Sequence, residues 1–263
     1  GGVDALVPCG TTGEFASLTP AEQRAVIETT VEAAPADVPV VAGASATSMG
    51  EARERLAAAA DAGADAALVL PPFYLTAPDP VGNRQFFEGV AADSPLPIYL
   101  YNIPATVGGR VAPETVAAVA DHESVVAIKD SSGDLAHVGE VLDRTPDGFQ
   151  VYQGFDALLV PAVYLGATGG INALSHLIPE AMIDAVEAVR EGDHDRARAI
   201  QRERIDPLFR FCAEYGFAPA IKVALAASGV IPSPAVRPPL VLPDEDAREE
   251  IAATVERLRA EAA

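Results

Sequence analysis

A chain of 263 residues, 49% of them hydrophobic, can build a sizeable core as one large domain or two small ones. The formal net charge of -20 argues against binding nucleic acid or an anionic membrane through a basic surface. No apolar run is long enough to cross a bilayer. Two cysteines are too few for a disulfide framework, so a cytoplasmic location is expected.

The basic residues are almost all arginines. Of the 18 lysines and arginines, only Lys129 and Lys222 are lysines. The excess of acidic residues places like charges on the surface that repel one another, and salt screens that repulsion. The composition therefore favours a halophilic protein over an ordinary acidic enzyme.

Apolar, strand-like segments alternate with helix-like segments as far as residue 172. Strands are predicted over residues 5–9, 38–44, 66–70, 97–101, 125–129, 149–153 and 167–172. Helices are predicted over residues 19–33, 50–62, 82–92, 113–120 and 135–144, with a short one ending at residue 164. Apolar strands joined by helices indicate a parallel sheet buried on both faces, and their even spacing favours a (β/α) barrel. No G-x-G-x-x-G follows the first strand, which removes the main dinucleotide-binding signal.

A TIM (β/α)8 barrel needs eight strands, and the pattern supplies seven. We expect the first βα unit to be absent from this chain, because residues 1–4 resemble a turn between a helix and a strand. Residues 1–175 are then assigned to barrel strands 2–8, and residues 176–263 to a C-terminal helical region packed on the barrel. In that region helices are predicted over residues 179–191, 194–215, 219–228 and 244–260.

Lys129 ends the apolar strand that begins at Val125, and a polar turn follows it at once. An ammonium group is costly to desolvate, and desolvation lowers the pKa of an amine. Because a neutral amine attacks carbonyl carbon, Lys129 is predicted to form a Schiff base. The alternative is a lysine whose head group leaves the strand end and pairs with Asp130 or Asp134.

In a barrel of this type the active site lies at the carboxyl ends of the strands. The candidate site residues found there are Thr11, Thr12, Tyr74, Tyr101, Asn102, Lys129, Gly154, Asp156, Ile171 and Asn172. Two threonines in a turn can offer hydroxyl and backbone N–H donors to a carboxylate, and a strand-end tyrosine can shuttle a proton. Asp156 either orients a substrate hydroxyl or caps the next helix. Glu14 is interpreted as an acid at the start of a helix.

Three motifs carry a resemblance to a known family: Gly10-Thr-Thr-Gly-Glu14, Tyr101-Asn-Ile-Pro104 and Ile128-Lys-Asp-Ser-Ser-Gly133. Together they resemble the dihydrodipicolinate synthase/N-acetylneuraminate lyase family of pyruvate-dependent class I aldolases, over essentially the whole chain. The resemblance implies an eight-stranded barrel, a homotetramer built of dimers, and no metal or organic cofactor.

The same resemblance implies a role for each matching residue. Lys129 is expected to condense with the ketone of pyruvate, and Tyr101 to move the protons. Thr11 and Thr12 are expected to bind the pyruvate carboxylate, and Tyr74 to cross a dimer interface. The further substrate-binding candidates are Gly154, Asp156, Ile171 and Asn172.

Departures from the family pattern bear on the substrate. The synthases have an arginine two residues after the motif proline, where this chain has Thr106, and the nearest arginine, Arg110, is displaced. The sialic acid lyases have a glutamate and a serine where this chain has Ala157 and Ala173. The sequence therefore favours similarity to archaeal aldolases that split 2-keto-3-deoxygluconate or its 6-phosphate into pyruvate and glyceraldehyde or its phosphate. A 4-hydroxy-tetrahydrodipicolinate synthase, joining pyruvate to aspartate semialdehyde, and a sugar-acid dehydratase are the alternatives.

Other classes of protein fit the sequence less well. A pyridoxal-phosphate enzyme needs a phosphate cradle and a partner for the ring nitrogen, and neither is assigned. A metal-dependent aldolase needs clustered ligands, whereas the histidines are scattered and are interpreted as structural or surface residues. They are His122, His137, His176 and His194. A non-catalytic keto-acid-binding protein would need neither Lys129 nor Tyr101.

Overall fold

The computed structural model describes residues 1–75 and 80–260, which divide into two compact units. The barrel unit comprises the described residues of Asp4–Gly10 and Leu18–Ile171. The helical unit comprises the described residues of Gly1–Val3, Thr11–Ser17 and Asn172–Ala263. The boundary expected near residue 175 stays a prediction.

The described part of the barrel unit contains six parallel strands whose order in the sheet follows the chain. They are β1 (Val41–Gly43), β2 (Ala66–Val69), β3 (Ile98–Asn102), β4 (Val125–Asp130), β5 (Gln150–Gln153) and β6 (Gly169–Gly170). Its helices are α1 (Pro20–Ala33), α2 (Met49–Asp61), α3 (Pro80–Ala91), α4 (Pro104–Val107), α5 (Pro113–Ala120), α6 (Leu135–Arg144) and α7 (Leu159–Leu165). Parallel strands in chain order, joined by helices, confirm the predicted α/β class of the TIM-barrel type.

Local sequence explains where the first helix begins. The Thr19 side chain accepts a hydrogen bond from Glu22 N at 3.3 Å, and the Glu22 carboxylate accepts one from Thr19 N at 2.8 Å. This reciprocal pair satisfies N–H groups that the first turn of a helix leaves without partners. Pro20, at the first helical position, has no N–H to satisfy. The predicted start at residue 19 is confirmed.

The alternation of side chains along the strands decides which face carries chemistry. Val69, Leu100, Ile128 and Val151 pair in register across β2 to β5, and each is at most 1% exposed. Successive residues of a strand point to opposite faces of the sheet. The next row, on the other face, consists of Tyr101, Lys129, Tyr152 and Gly169. Lys129 therefore lies on the opposite face from the aliphatic row.

Two predicted strands are reduced to at most two residues of regular strand. Residues 5–9 form only an isolated parallel bridge, from Leu6 to Val40, together with a bond from Gly43 N to Pro8 O at 2.9 Å. The next donor of this ladder would be the nitrogen of Pro8, which carries no hydrogen. The strand predicted over residues 167–172 is reduced to Gly169–Gly170, where glycine weakens a strand interior.

The described residues of the helical unit contain two 3₁₀ helices and five α-helices. They are the 3₁₀ helices Phe15–Ser17 and Ala173–His176, and α8 (Pro179–Glu191), α9 (His194–Ile200), α10 (Asp206–Tyr215), α11 (Phe217–Ala227) and α12 (Glu245–Ala260). No helix in the described ranges is both long and apolar enough to cross a membrane.

The helical segment predicted over residues 194–215 is helical throughout, but it is not a single α-helix. A π-helical turn, Gln201–Ile205, separates α9 from α10, and Asp206 N bonds to Gln201 O five residues earlier. Pro207 has no N–H for an α-helical bond, and its ring crowds the carbonyl four residues before it. The wider turn accommodates the proline without ending the helical path.

Candidate active site

Lys129 and Tyr101 are direct neighbours near the carboxyl ends of β4 and β3. The Lys129 Nζ lies 4.5 Å from the centroid of the Tyr101 ring. Tyr101 is 3% exposed, and Lys129 is half-buried. The amine predicted to be the nucleophile therefore lies against the ring of the tyrosine predicted to move its protons.

Neither nearby carboxylate forms an ion pair with Lys129 in the described part of the chain. Asp130 accepts bonds from Asn102 Nδ2 and from the Ser132 hydroxyl, both at 2.6 Å. Asp134 pairs with Arg110 at 2.5 Å, and this bond holds the pKa of Asp134 below its ordinary value. The alternative in which Lys129 is an ordinary paired surface lysine is thus not the arrangement found.

Gly154, directly after β5, provides the space that Lys129 occupies. A Cβ at this position would lie 2.1 Å from Ser131 Oγ and 2.7 Å from Lys129 Cε. Such separations are well inside van der Waals contact, so a larger residue would force a neighbour to move. Gly154 N also donates to Asp130 O at 2.6 Å. The observed role of Gly154 is steric, and its role in binding substrate stays a prediction.

Two buried polar residues near the ends of β4 and β5 were not singled out from the sequence. Ser131 Oγ lies beside the space at Gly154. Gln153, in contrast, pairs with Asp130 in register and so lies on the face away from Lys129. Ser131 is 8% exposed and Gln153 is 1% exposed. Among the described residues, Ser131 Oγ and Gln153 Nε2 have no hydrogen-bond partner, although Gln153 Oε1 accepts from Phe155 N at 2.7 Å. A buried hydroxyl such as that of Ser131 can bond to a bound substrate. The available signal for Ser131 was its spacing of two from Lys129, which repeats a face in an extended chain.

A pair of stacked tyrosines lies in the same sheet as Lys129. Tyr152 pairs with Lys129 in register, and its ring stacks on Tyr99 with centroids 5.9 Å apart. The Tyr152 hydroxyl donates to Gln150 Oε1 at 3.0 Å. Burial raises the pKa of Tyr99 above its ordinary value, and the hydrogen bond with Tyr152 is the smaller, opposing effect.

A buried hydrogen-bond network joins the residues that follow Tyr101 and Lys129. Asn102 and Asp130 are at most 1% exposed, and Asn102 Nδ2 donates to Asp130 Oδ2. Asn102 Oδ1 accepts from Val111 N at 3.0 Å, which holds the chain segment that leaves β3. The ends of β3 and β4 are therefore fastened to each other by side chains as well as by the sheet.

His137 completes this network from α6. Its Nε2 lies 3.0 Å from Val111 O, 3.2 Å from Asn102 Nδ2 and 3.7 Å from Asp130 Oδ2. Burial lowers the pKa of His137, and the opposing attraction of Asp130 is the smaller effect. A neutral imidazole protonated on Nε2 donates to Val111 O, and the 3.2 Å contact with Asn102 Nδ2 is then not a hydrogen bond. The interpretation of His137 as a structural residue agrees with this environment.

Other predicted site residues lie in the barrel unit. Ile171 N donates to Gln153 O at 3.0 Å, which places Ile171 beside β5. Asp156 is fully buried and is the first residue of the 3₁₀ helix Asp156–Leu158, whose N-cap position is Phe155. Both roles suggested for Asp156, a helix cap and a partner of a substrate hydroxyl, stay predictions. Tyr74 is 91% exposed, with a φ of 78°.

The remaining predicted residues, Thr11, Thr12 and Asn172, belong to the helical unit. Both threonines are half-buried in a turn closed by a bond from Glu14 N to Thr11 O at 3.0 Å. Asn172 is 9% exposed, and in the part of the chain that is described its Nδ2 has no hydrogen-bond partner. The structure thus brings together Lys129, Tyr101 and Gly154 within one unit.

No group of three or more His, Cys, Asp or Glu side chains that could hold a metal occurs within residues 1–75 and 80–260. The barrel-unit site offers the Lys129 amine, the Tyr101 phenol and the buried hydroxyl of Ser131.

Comparison with known proteins connects this geometry to a family. The sequence profile of the Dihydrodipicolinate synthetase family matches residues 1–258. The 4-hydroxy-tetrahydrodipicolinate synthase of Natronomonas pharaonis is 44% identical over 210 residues, which are 80% of this chain and 70% of that protein. The enzyme of the same name from Methanopyrus kandleri is 38% identical over 258 residues, covering 98% of this chain and 85% of that one.

Solved structures agree with the sequence comparison. Dihydrodipicolinate synthase from Aquifex aeolicus superposes with a TM-score of 0.93 at 31% identity, over 98% of this chain and 87% of that one. YagE, an E. coli K12 prophage protein of the dihydrodipicolinic acid synthase family solved in complex with pyruvate, gives a TM-score of 0.89 at 29% identity, over 98% and 88% of the two chains. The chain therefore belongs to the dihydrodipicolinate synthetase family, and it is a carbon–carbon lyase of the class I aldolase type.

Proposed function

We propose that this protein is a 4-hydroxy-tetrahydrodipicolinate synthase, which condenses pyruvate with aspartate semialdehyde. The observation that carries the chemistry is the Lys129 amine lying against the Tyr101 ring, in space left by Gly154. The choice of this reaction within the family is supported by the names of the relatives, which are 44% and 38% identical to this chain. The sequence alone had favoured the sugar-acid aldolases and placed the synthase second.

The proposed reaction begins at Lys129. Its neutral amine attacks C2 of pyruvate, and loss of water from the carbinolamine leaves a protonated imine. This imine is the electron sink, so no metal or organic cofactor is required. Removal of a proton from the methyl group gives an enamine, which attacks the aldehyde carbon and forms the new carbon–carbon bond. Tyr101 relays the protons, and Thr11 and Thr12 bind the pyruvate carboxylate.

One observation favours a second candidate, the cleavage of 2-keto-3-deoxygluconate or its 6-phosphate. Thr106 occupies the position where the synthases have an arginine for the semialdehyde carboxylate. Arg110 is half exposed and is paired with Asp134. A bidentate arginine is the usual partner of a carboxylate, so its replacement by threonine weakens the case for an acidic aldehyde.

Two measurements test the mechanism and the substrate separately. Borohydride reduction in the presence of pyruvate should trap one covalent adduct per chain on Lys129, and Lys129→Ala should trap none. Purified protein is then assayed for condensation of pyruvate with aspartate semialdehyde, and for pyruvate release from each sugar acid. Release from a sugar acid without condensation would refute the synthase assignment. Absence of any adduct on wild-type protein would refute the Schiff base itself.

Two further properties follow from the resemblance and belong to the same proposal. The protein is a cytoplasmic homotetramer in which Tyr74 crosses a dimer interface. The neighbouring side chains of Tyr74 and Leu75 are 91% and 81% exposed, which supports this, because contiguous exposed apolar surface marks an interaction site. Light scattering coupled to size exclusion tests the assembly, and a wild-type monomer would contradict it.

A further inference from the structure

Glu14 is an unusual residue for the turn that contains it. Its side chain is 5% exposed, and its φ of 55° lies in the left-handed region that favours glycine. A buried carboxylate is unfavourable unless it is paired and hydrogen-bonded. Its surroundings must therefore hold Glu14 in this conformation.

Two groups from a distant part of the same unit supply that support. Lys222 Nζ, on α11, forms an ion pair with Glu14 Oε1. Arg237 N donates to Glu14 Oε2 at 2.7 Å. Lys222 Nζ also donates to Ala235 O at 2.8 Å, and Arg237 Nη1 donates to Ser17 O at 3.0 Å. The turn is thus fastened to α11 and to the segment near residues 235–237.

The turn held in this way is the one that carries Thr11 and Thr12. Glu14 N closes it by bonding to Thr11 O at 3.0 Å, so the conformation at Glu14 determines how the two threonines are presented. The charge of Glu14 matters as well. An unpaired buried carboxylate in the same turn as the threonines that bind an anion would repel that anion, and the Lys222 ammonium cancels the charge.

We infer that Lys222 is a positioning residue for pyruvate: through its ion pair with Glu14 it fixes the Thr11–Thr12 turn and neutralises the carboxylate next to it. This inference rests on the proposed function, in which Thr11 and Thr12 bind the pyruvate carboxylate. It gives the second lysine of the chain a role in substrate binding without contact with the reacting atoms.

Borohydride trapping at graded pyruvate concentrations tests this role. Lys222→Gln should raise the half-saturating pyruvate concentration by about tenfold, as expected for losing a charged hydrogen bond, while the maximal adduct stays at one per chain. Lys222→Arg should stay close to wild type. The double variant Glu14→Gln/Lys222→Gln should bind pyruvate better than Lys222→Gln alone, because it leaves no unpaired charge. A purely structural role would lower the free energy of unfolding of Lys222→Gln and leave its half-saturating pyruvate concentration unchanged.

Arg196→Gln is the matched control. Arg196 has 35% side-chain exposure against 32% for Lys222, and it also pairs with acids of the helical unit, Asp184 and Glu191. The Arg196→Gln variant should have the same half-saturating pyruvate concentration as wild type. If Lys222→Gln does not fold, Glu14→Gln replaces it and should raise that concentration about threefold.

The outcomes separate the two proposals. The inference alone would be overturned if wild type traps pyruvate and Lys222→Gln has the same half-saturating pyruvate concentration as wild type. The same holds for Glu14→Gln if that variant replaces Lys222→Gln. An equal rise in Arg196→Gln would also overturn it. Failure of wild type to trap pyruvate would overturn the inference together with the proposed function.

Discussion

Replacing Gly154 with alanine should impair catalysis far more than it impairs folding. The added methyl group would lie 2.7 Å from Lys129 Cε and 2.1 Å from Ser131 Oγ. The Gly154 backbone is held by its bond to Asp130 O, so the side chains must move instead. Lys129 can do so by changing the torsions of its flexible chain, which keeps the energetic cost to the fold modest.

The size of the effect follows from the displacement. Restoring an ordinary carbon–carbon contact requires Lys129 Cε to move by about 0.7–1 Å, and Nζ moves with it. A misplacement of about 1 Å in a reacting group can reduce a rate by about a hundredfold. We therefore expect Gly154→Ala to lower kcat by roughly a hundredfold, with a loss of about 1–3 kcal/mol in the free energy of unfolding from overpacking.

The assay is the rate of adduct formation at saturating pyruvate, measured together with kcat for the condensation of pyruvate with aspartate semialdehyde. Gly139→Ala is the matched control, because among the described residues no atom lies within 4 Å of a Cβ at Gly139 on α6. It should retain wild-type rates. If folded Gly154→Ala protein formed the adduct at the wild-type rate, the reactivity of Lys129 would not depend on the space left by Gly154.

Three further predictions concern stability. Asn102→Ala should cost about 3 kcal/mol in urea unfolding, because it leaves Asp130 and Val111 N short of partners; a loss below 1 kcal/mol would contradict the network. Since the pKa of His137 is below its ordinary 6.5, the unfolded state binds the extra proton. Stability should therefore fall as pH drops below about 6.5, and His137→Gln should flatten that decline in pH-dependent urea titrations. At a net charge of -20, the thermal midpoint should rise between low and molar KCl; an unchanged midpoint would argue against halophily.

The sequence was most informative where a local rule determines the outcome. Strand alternation and the position of Lys129 at the end of an apolar run place it on the face away from the aliphatic row. Tyr101 follows from the same rule, because it ends the preceding strand and parallel neighbours bring their carboxyl ends to one edge. The capping box at Thr19 was equally readable, since all of its groups lie within one turn.

The features that were missed depend on partners distant in the chain. Asn102 meets Asp130 and His137 across 28 and 35 residues, so no local pattern reveals the network. Glu14 was missed for the same reason. From the sequence it was interpreted as an acid at the start of a helix, and only the fold brings Lys222 to it. The strand predicted over residues 5–9 was too long for a different reason. Its apolar composition does not reveal that Pro8 lacks the N–H needed to continue the hydrogen-bond ladder.

The two strand ends share one arrangement that links stability to chemistry. Tyr101 and Lys129 lie on one face, and the next residues, Asn102 and Asp130, are bonded to each other on the opposite side. Adjacent residues of a strand cannot move independently, because their backbone is fixed by the same ladder of hydrogen bonds. The buried network therefore holds the two backbone segments from which the ring and the amine project in one relative position, at the expense of burying a carboxylate. An apolar pair of similar volume would be easier to bury, but it would supply no directional bonds to fix that position.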